Sequence, residues 1–314
     1  MNAFDLDDEA GYRRWREWKL AMQPRAAQDA IVDVRDAAAL SDRERRALLA
    51  RITCIGFAVY RSRVIQDQPA LPRRLAQQFG MRQLDANWLA DEDGISRITV
   101  SAASDGHGGF IPYTDRAIGW HTDGYYNPQS RRIRAMLLHC VRDALDGGES
   151  ALLDHELAYI LLRDESPEHV RALSASNAMT IPPRLEGEAV ARPAETGPVF
   201  SADEDALHMR YTARGVNIGW KDDPATSAAR AALERILAGS PYVLRLRLEP
   251  GMGIVCNNVL HARSAFRDAP QHRRLLYRAR YYDRVPTDAP GSMFWLRRKK
   301  LPGSYSFFRA SRRS

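Results

Sequence analysis

The chain has 314 residues, of which 45% are hydrophobic and 27% are charged, enough apolar sequence for a sizeable buried core. Its 46 basic and 39 acidic residues give a net charge of +7. The whole excess comes from the stretch that starts at Arg297, which has 7 basic residues and no acidic one. The balanced remainder argues against a nucleic-acid groove spread over the fold. We therefore expect no nucleic-acid partner, and we interpret residues 291–314 as a basic C-terminal tail.

Cysteine usage and the N-terminal sequence bear on the cellular compartment. Cys54, Cys140 and Cys256 each lie in an apolar run, without the short spacing of a zinc site or a disulfide framework. The first residues are acidic where a signal peptide would be basic, and no apolar run is long enough to cross a bilayer. We therefore expect a cytoplasmic protein with no membrane span. The sequence leaves open whether the protein forms a homo-oligomer.

The first part of the chain has a helical pattern. Trp15 and Trp18 fall on one stripe of a predicted helix, with basic residues on the other side. We interpret residues 1–40 as a peripheral helical segment that packs on a single main domain, residues 41–290. This domain is predicted to begin with a helix, because a Ser-x-x-Glu capping box starts at Ser41.

Much of the main domain has β character. Residues 133–141 are almost all apolar, which suits a central strand buried on both faces. His139 in this run is predicted to be a core histidine and not a ligand. Residues 242–248 alternate between apolar and polar side chains, and residues 274–282 place three arginines on one face of a strand. A helix is predicted over residues 225–237.

Two further segments are predicted to be loops. The glycine-rich residues 104–113 precede the metal-ligand candidates described below and could fold over a substrate, and His107 within them is expected to be exposed. Residues 186–205 contain prolines and charges with little periodicity. They predict a surface excursion or a lid.

Three side chains have the pattern of metal ligands. His121 and Asp123 are two residues apart in a predicted strand, so both project to the same side and can bind one metal ion. His261 lies about 140 residues later, at the end of another apolar run. Two histidines and one carboxylate form the facial triad of non-haem Fe(II) oxygenases, which leaves coordination positions open for a co-substrate and oxygen. Short His/Asp pairs are common, so the surrounding motifs decide the interpretation.

Four motifs in a fixed order give the sequence a family resemblance. They are W-H-T-D at residues 120–123, G-G-x-S at 147–150, N-x-x-x-H at 257–261 and R-R-x-x-x-R at 273–278. Together, within roughly residues 56–283, they resemble the TauD/TfdA family of Fe(II)/2-oxoglutarate dioxygenases. The second motif usually ends in threonine, and the serine found here keeps the hydroxyl group.

The resemblance implies a fold and a reaction. The implied fold is mainly β with flanking helices, a double-stranded β-helix that is also called a jelly roll or cupin-like barrel. His121, Asp123 and His261 would bind Fe(II) as the catalytic ligands. Arg274 would anchor the far carboxylate of 2-oxoglutarate, and the hydroxyl of Ser150 would lie near this co-substrate. With O2 as the oxidant, the enzyme would release succinate and CO2.

The type of oxidation and the substrate can be narrowed further. Asp123 stands where a halogenating relative has a small residue, which favours hydroxylation or oxidative cleavage. Arg278 follows Arg274 by four residues on the same strand face, and the arginine at this place binds the substrate anion in sulfonate-cleaving relatives. Arg263, two residues past the metal histidine, is a second candidate. We expect a small anionic substrate with a carboxylate, sulfonate, sulfate or phosphonate group. Taurine is not predicted, because Ala117 replaces an asparagine of taurine-cleaving relatives.

Other interpretations stay open at this point. The same three ligands could hold zinc or manganese in a cupin-like hydrolase or isomerase. The barrel could also be a non-catalytic protein that binds small molecules. Finally, Arg278 and Arg280 could pair with acids such as Asp283 or Asp154 and not with a substrate.

Overall fold

The computed structural model describes residues 3–86, 91, 93–102, 110–203, 206–214 and 218–287. His107 and the basic tail, residues 291–314, lie outside these ranges, so the predictions for them have no structural counterpart here. Among the described residues, no helix is both long enough and apolar enough to span a membrane.

Six α-helices are found in the described part of the chain, and one of them begins at the predicted cap. Ser41 and Glu44 form the expected reciprocal capping box, while Asp154 and Ser166 cap two later helices. The helices are α1 (Glu9–Ala21), α2 (Asp42–Ile55), α3 (Leu71–Gln78), α4 (His155–Glu165), α5 (Pro167–Leu173) and α6 (Pro224–Gly239).

Many short strands accompany these helices. Within the described ranges they are β1 (Ile31–Val34), β2 (Phe57–Ser62), β3 (Ser96–Ile98), β4 (Ile118–His121), β5 (Ala135–Arg142), β6 (Asp146–Gly147), β7 (Ser150–Leu153), β8 (Met179–Ile181), β9 (Arg184–Glu186), β10 (Ala189–Arg192), β11 (Glu195–Gly197), β12 (Phe200–Asp203), β13 (Ala206–Met209), β14 (Gly219–Trp220), β15 (Leu244–Leu246), β16 (Met252–Cys256), β17 (Leu260–Arg263), β18 (Phe266–Arg267) and β19 (Leu275–Tyr281). The protein is therefore mixed α/β with several sheets, a larger helical share than the expected mainly β fold.

The larger sheet has the strand order β1-β2-β16-β5-β19-β3. The apolar strand β5 lies inside it, antiparallel to β16 on one side and to β19 on the other, as its sequence predicts. His139 on β5 is buried, and its Nδ1 atom lies 2.9 Å from the hydroxyl of Tyr60. The prediction of a core histidine is therefore confirmed.

The smaller sheet has the strand order β15-β7-β17-β4. It faces the larger sheet across a shared apolar cluster, in which Met136 and Ile254 of the larger sheet join Leu152 and Leu244 of the smaller one. Consequently, the two strands with candidate metal histidines, β4 and β17, lie in one sheet. The arginine-rich strand β19 lies in the other.

The first 40 residues are more closely integrated than the predicted peripheral segment. Tyr12 and Trp15 of α1 are buried in one core with residues of α4, α5 and α6. The strand β1 pairs in parallel with β2 and forms an edge of the larger sheet. Residues 31–34 therefore belong to the main fold. The short sequence Ile-Val-Asp-Val does not predict this pairing, because a parallel partner is not specified by a local turn.

A buried ion cluster fastens α1 to the rest of the molecule. The side chain of Lys19 is 1% exposed, and its Nζ lies 2.6 Å from Oδ2 of Asp154 and 2.5 Å from Oε2 of Glu156. Burial favours the neutral amine, but the two carboxylates outweigh burial and raise the pKa of Lys19. Because Asp154 also caps α4, the cluster joins α1 to the start of that helix.

We expect Lys19→Ala to lower the free energy of unfolding by about 3–5 kcal/mol, because it leaves two buried carboxylates without their cation. The matched control is Arg13→Ala, which removes an exposed ion pair with Glu9 and should change stability by less than about 0.5 kcal/mol. Urea unfolding of both variants measures the difference. Equal stability of the two variants would contradict a structural role for the cluster.

Candidate metal centre

The structure brings the three sequence-predicted ligands together. His121 is the last residue of β4, and the antiparallel pairing of β17 places His261 directly opposite. The centres of the two imidazole rings are 4.1 Å apart. Asp123 follows two residues after β4, and one ligand atom from each of the three side chains lies within 4.8 Å of the others.

The orientation of these side chains fits a metal ion. Nδ1 of His121 lies 2.9 Å from the carbonyl oxygen of Gly119, and Nδ1 of His261 lies 2.9 Å from that of Val259. A hydrogen bond at Nδ1 leaves Nε2 of each ring free to coordinate. Oδ2 of Asp123 is buried and has no hydrogen-bond partner. Such an oxygen normally has a partner, and a bound cation would supply one.

The protonation states also suit metal binding. Burial of the ring, reinforced by the neighbouring His261, lowers the pKa of His121 to about 3. Burial likewise lowers the pKa of His261. For Asp123, burial opposes ionisation, but the positive charges of Arg278 and Arg280 outweigh it and lower the pKa. Two neutral imidazoles and one ionised carboxylate are the forms that coordinate a divalent metal.

Two arginines of β19 stand beside the ligands. Nη1 of Arg278 donates to Oδ1 of Asp123 at 3.3 Å. Arg280, two residues further along the same face, donates to Oδ2 of Asp85 at 2.6 Å and to the hydroxyl of Tyr126 at 2.9 Å. The Nε groups of both arginines are buried without a hydrogen-bond partner. This side of the centre therefore has two buried cations, each paired with one carboxylate, and two N–H donors without a hydrogen-bond partner.

Neither arginine pairs with the acids named as alternatives. Oδ2 of Asp283 accepts hydrogen bonds from the backbone N–H groups of Arg82 and Gln83, each at 2.5 Å. Asp154 pairs with Lys19. The alternative that these arginines pair with acids is confirmed in kind, but the partners are Asp123 and Asp85 and not the two examples named.

Arg274 immediately precedes β19, at the end of the strand opposite to Arg280. It is 5% exposed, and its guanidinium stands 5.0 Å from the ring centre of Phe266. The guanidinium of Arg263 stands 4.7 Å from the same ring, and Ser150 is the direct cross-strand neighbour of Arg263. Burial lowers the pKa of Arg274, which indicates an incompletely compensated cation. An incoming carboxylate would supply that compensation.

Arg263 donates its hydrogen bonds to backbone carbonyls, unlike the other arginines near the centre. Its Nη1 and Nη2 groups donate to the backbone carbonyls of Pro112, Thr114 and Arg116, at 3.4, 2.7 and 2.5 Å respectively. The sequence predicted that Arg263 shares a strand face with His261. Both residues lie in β17, which pairs with β7 in unbroken register, and the irregular pairing with β4 comes from an extra residue on β4. Arg263 holds residues 112–116 against the strand.

Two residues that shape the centre had no role assigned from the sequence. Asn258 accepts a hydrogen bond from the N–H of Asp123 at 2.8 Å and donates to its carbonyl at 2.9 Å. Asp85 accepts hydrogen bonds from Arg280 at 2.6 Å and from the hydroxyl of Tyr282 at 2.5 Å. Asn258 lies inside the N-x-x-x-H motif but at one of its unspecified positions, so the motif did not single it out. No sequence pattern connects Asp85 with an arginine 195 residues later.

Comparison with known families and proteins agrees with this geometry. The family model described as taurine catabolism dioxygenase TauD, TfdA family, matches residues 20–280. A uridine-5'-phosphate dioxygenase of Streptomyces sp is 32% identical over 255 residues, covering 75% of this chain and 86% of that protein. A uridine-5'-phosphate dioxygenase of Amycolatopsis sp is 32% identical over 187 residues, covering 58% of this chain and 66% of that protein.

Solved structures share the fold. The non-heme iron oxygenase OrfP, in complex with Fe, succinate and (3S)-hydroxy-L-Arg, matches with a TM-score of 0.57 and 17% identity, covering 87% of this chain and 91% of that one. Asparagine oxygenase in complex with Fe(II), 2S,3S-3-hydroxyasparagine and succinate matches with a TM-score of 0.53 and 16% identity, covering 87% and 92%. The family and these neighbours identify the two facing sheets as a TauD-like double-stranded β-helix.

Fold and site together define a non-haem Fe(II) oxygenase. The family match covers most of the chain, and the protein therefore belongs to the TauD/TfdA family of Fe(II)- and 2-oxoglutarate-dependent dioxygenases. Its cofactor is Fe(II), its co-substrate is 2-oxoglutarate, and it oxidises a small molecule. The family membership rejects the two alternative interpretations of the sequence, a cupin-like hydrolase or isomerase and a non-catalytic barrel.

We expect His121→Ala, Asp123→Ala and His261→Ala each to weaken Fe(II) binding by more than about a hundredfold, because losing even an outer partner of a metal ligand typically weakens binding 10- to 100-fold. Iron content and circular dichroism of the purified variants measure binding and folding. The control is His169→Ala, a histidine of α5 that pairs with Glu165 outside the centre. Unchanged iron content in any triad variant would remove that residue from the ligand set.

Proposed function

We propose that this dioxygenase oxidises a phosphorylated nucleoside, with uridine 5'-phosphate as the first candidate, and releases succinate and CO2. The observation that supports this proposal most directly is the 32% identity over 255 residues to a protein described as a uridine-5'-phosphate dioxygenase. The phosphate of such a substrate could accept hydrogen bonds from the unpartnered Nε group of Arg278 beside Asp123, and a nucleotide is one case of the small anionic substrate that the sequence predicts.

The triad would hold the metal ion in this proposal. His121 and His261 would coordinate through Nε2, and Asp123 through Oδ2, which lacks another partner. When bound, Fe(II) with 2-oxoglutarate and O2 supplies the oxidant that removes hydrogen from the substrate. Arg278 stays on Oδ1 of Asp123 at 3.3 Å and keeps that carboxylate ionised and oriented.

In this proposal, 2-oxoglutarate binds near one end of β19 and the substrate phosphate binds near the other. Arg274 would bind the far carboxylate of 2-oxoglutarate, since its buried cation is incompletely compensated. Ser150, next to Arg263 in the sheet, lies on this side and would donate its hydroxyl to the same group. Arg278, four residues further along, would offer its remaining donors to the substrate phosphate. We assign the substrate anion to Arg278 in preference to Arg263, whose terminal nitrogens are occupied by backbone carbonyls.

The aromatic residues after the triad would form the wall against which a nucleoside packs. Tyr125 and Tyr126 lie in an edge-to-face pair with ring centres 5.2 Å apart. Arg192 of β10 stands 5.7 Å from the ring of Tyr126, and Arg214 donates to the hydroxyl of Tyr125 at 3.4 Å. Flat rings bordered by cations suit a base and a phosphate ester. Arg192 belongs to the segment predicted to be an excursion or lid, so β10 of that segment would border this side of the site.

We expect Arg274→Gln to weaken 2-oxoglutarate binding by about 1.5–3 kcal/mol, which is roughly ten- to a hundredfold in Kd, because it removes a charge-assisted hydrogen bond. The measurement is anaerobic titration of the Fe(II) protein with 2-oxoglutarate, followed through the visible absorption of the chelated keto acid. Arg245→Ala, on the exposed face of β15, is the control and should bind normally. A normal Kd for Arg274→Gln would exclude this anchor.

We expect succinate formation to rise above its uncoupled rate with uridine 5'-phosphate but not with uridine, because only the phosphate engages Arg278. At saturating Fe(II), Arg278→Ala should raise the KM for the nucleotide much more than the KM for 2-oxoglutarate. Coupled assays of succinate with uridine 5'-phosphate, uridine, other nucleotides and small sulfonates test this. If only a non-nucleotide acid stimulates turnover, the substrate proposal fails while the dioxygenase class stands.

A further inference from the structure

Asn258 binds both ends of the loop that starts at Asp123. The side chain is buried, and its Oδ1 accepts from the N–H of Asp123 at 2.8 Å. Its Nδ2 donates to the carbonyl oxygens of Asp123 at 2.9 Å and Ile133 at 2.7 Å. The amide therefore uses its acceptor and both of its donors on one loop.

The loop between these two ends is closed on itself. Gly124 has φ +67, and a Cβ at this position would meet Cγ1 of Ile133 at 2.4 Å, so only glycine allows this approach. The N–H of Asn127 donates to the carbonyl of Gly124 at 2.8 Å, and its Nδ2 donates to that of Arg131 at 3.0 Å. Residues 123–133 form a compact loop whose ends meet at the amide of Asn258.

The backbone of Asn258 is itself in an unusual conformation. Its φ is +51, and among the described residues it is the non-glycine residue with positive φ. Asparagine enters this left-handed region more readily than most residues. Such strain persists where the surroundings fix it, and here three buried hydrogen bonds do so. The conformation aims the amide at the loop three residues before His261.

The metal ligands differ in how they are held. His121 and His261 sit opposite each other in the backbone ladder of β4 and β17. Asp123 lies beyond the end of β4, and both its N–H and its carbonyl bind Asn258. We propose that Asn258 is a positioning residue that sets the carboxylate of Asp123 relative to His261 and so determines Fe(II) affinity. This inference rests on the proposed role of Asp123 as a ligand.

The same amide links the metal to the substrate side. Tyr126 belongs to the loop that Asn258 closes, and its hydroxyl accepts a hydrogen bond from Arg280 at 2.9 Å. Releasing the loop therefore moves Asp123 and Tyr126 together. Arg274, at the opposite end of β19, is not attached to this loop. Loss of the Asn258 amide should weaken metal and substrate binding while 2-oxoglutarate keeps its anchor.

The test compares Asn258→Ala with Asn257→Ala. Asn257 is equally buried, and it exchanges two hydrogen bonds with the backbone of Val285, at 2.9 and 3.1 Å, without touching the loop. Both variants leave buried backbone groups unpaired, so urea unfolding should detect a loss of stability in each. Anaerobic Fe(II) titration of the apoprotein should give a Kd raised at least about tenfold for Asn258→Ala and nearly unchanged for Asn257→Ala.

One further variant separates loss of the side-chain amide from loss of the left-handed backbone conformation. Asn258→Gly keeps the left-handed backbone and removes the amide, so it should lose Fe(II) affinity as Asn258→Ala does. Normal affinity in the glycine variant would overturn the role of the amide. The Co(II) absorption spectrum of each variant reports ligand geometry independently of turnover, and it should change for Asn258→Ala but not for Asn257→Ala.

Asp123→Ala distinguishes failure of this inference from failure of the ligand assignment. Wild-type Fe(II) affinity in Asp123→Ala would refute the assignment itself. Weak binding in Asp123→Ala together with equal affinities in Asn258→Ala and Asn257→Ala would leave the ligand set intact and refute the positioning role. An increase in the KM for 2-oxoglutarate as large as that for substrate in Asn258→Ala would also refute it, because it would indicate general disorder of the site.

Discussion

The antiparallel register between β4 and β17 is the constraint on which the active centre depends. Because His261 is the direct partner of His121, the backbone ladder alone brings two imidazoles within reach of one ion. A shift of one residue would turn one ring to the opposite face of the sheet. The third ligand, Asp123, is not part of this ladder and depends on a side-chain amide, so the centre combines two rigid ligands with one held by a loop.

The second organising feature is the spacing of cations along β19. Arg278 and Arg280 share one face of β19 because a strand repeats every two residues, and Leu276 on that face packs against the smaller sheet, while Arg274 immediately precedes the strand. Arg278 and Arg280 have carboxylate partners in Asp123 and Asp85. Arg274 has a weaker set of compensating charges. Buried cations need partners, so the weaker compensation of Arg274 supports its proposed role as the anchor of the co-substrate carboxylate.

The sequence predicted what local periodicity and short motifs encode, and it failed where partners are distant. His121 and Asp123 lie at one site as predicted, although β4 ends at His121 and Asp123 follows it, and the cap at Ser41 formed as expected. The two-residue rule did not reveal that the terminal nitrogens of Arg263 bind backbone carbonyls of residues 112–116, about 150 residues earlier in the chain. The pairing of Asp85 with β19 was equally inaccessible, since no local pattern specifies an ion pair across 195 residues.

The strand order of the larger sheet has a consequence for synthesis of the chain. Both strands that pair with β5, namely β16 and β19, come late in the chain, between residues 252 and 281. β2 also pairs with β16, so one of its edges stays unpaired until β16 has been made. A ribosome that has made the first three quarters of the protein therefore presents two long apolar strands with unpaired edges. Open edges of this kind are sites of aggregation. Chaperone capture during translation, and loss of soluble product on C-terminal truncation before β19, follow from the topology and not from the active centre.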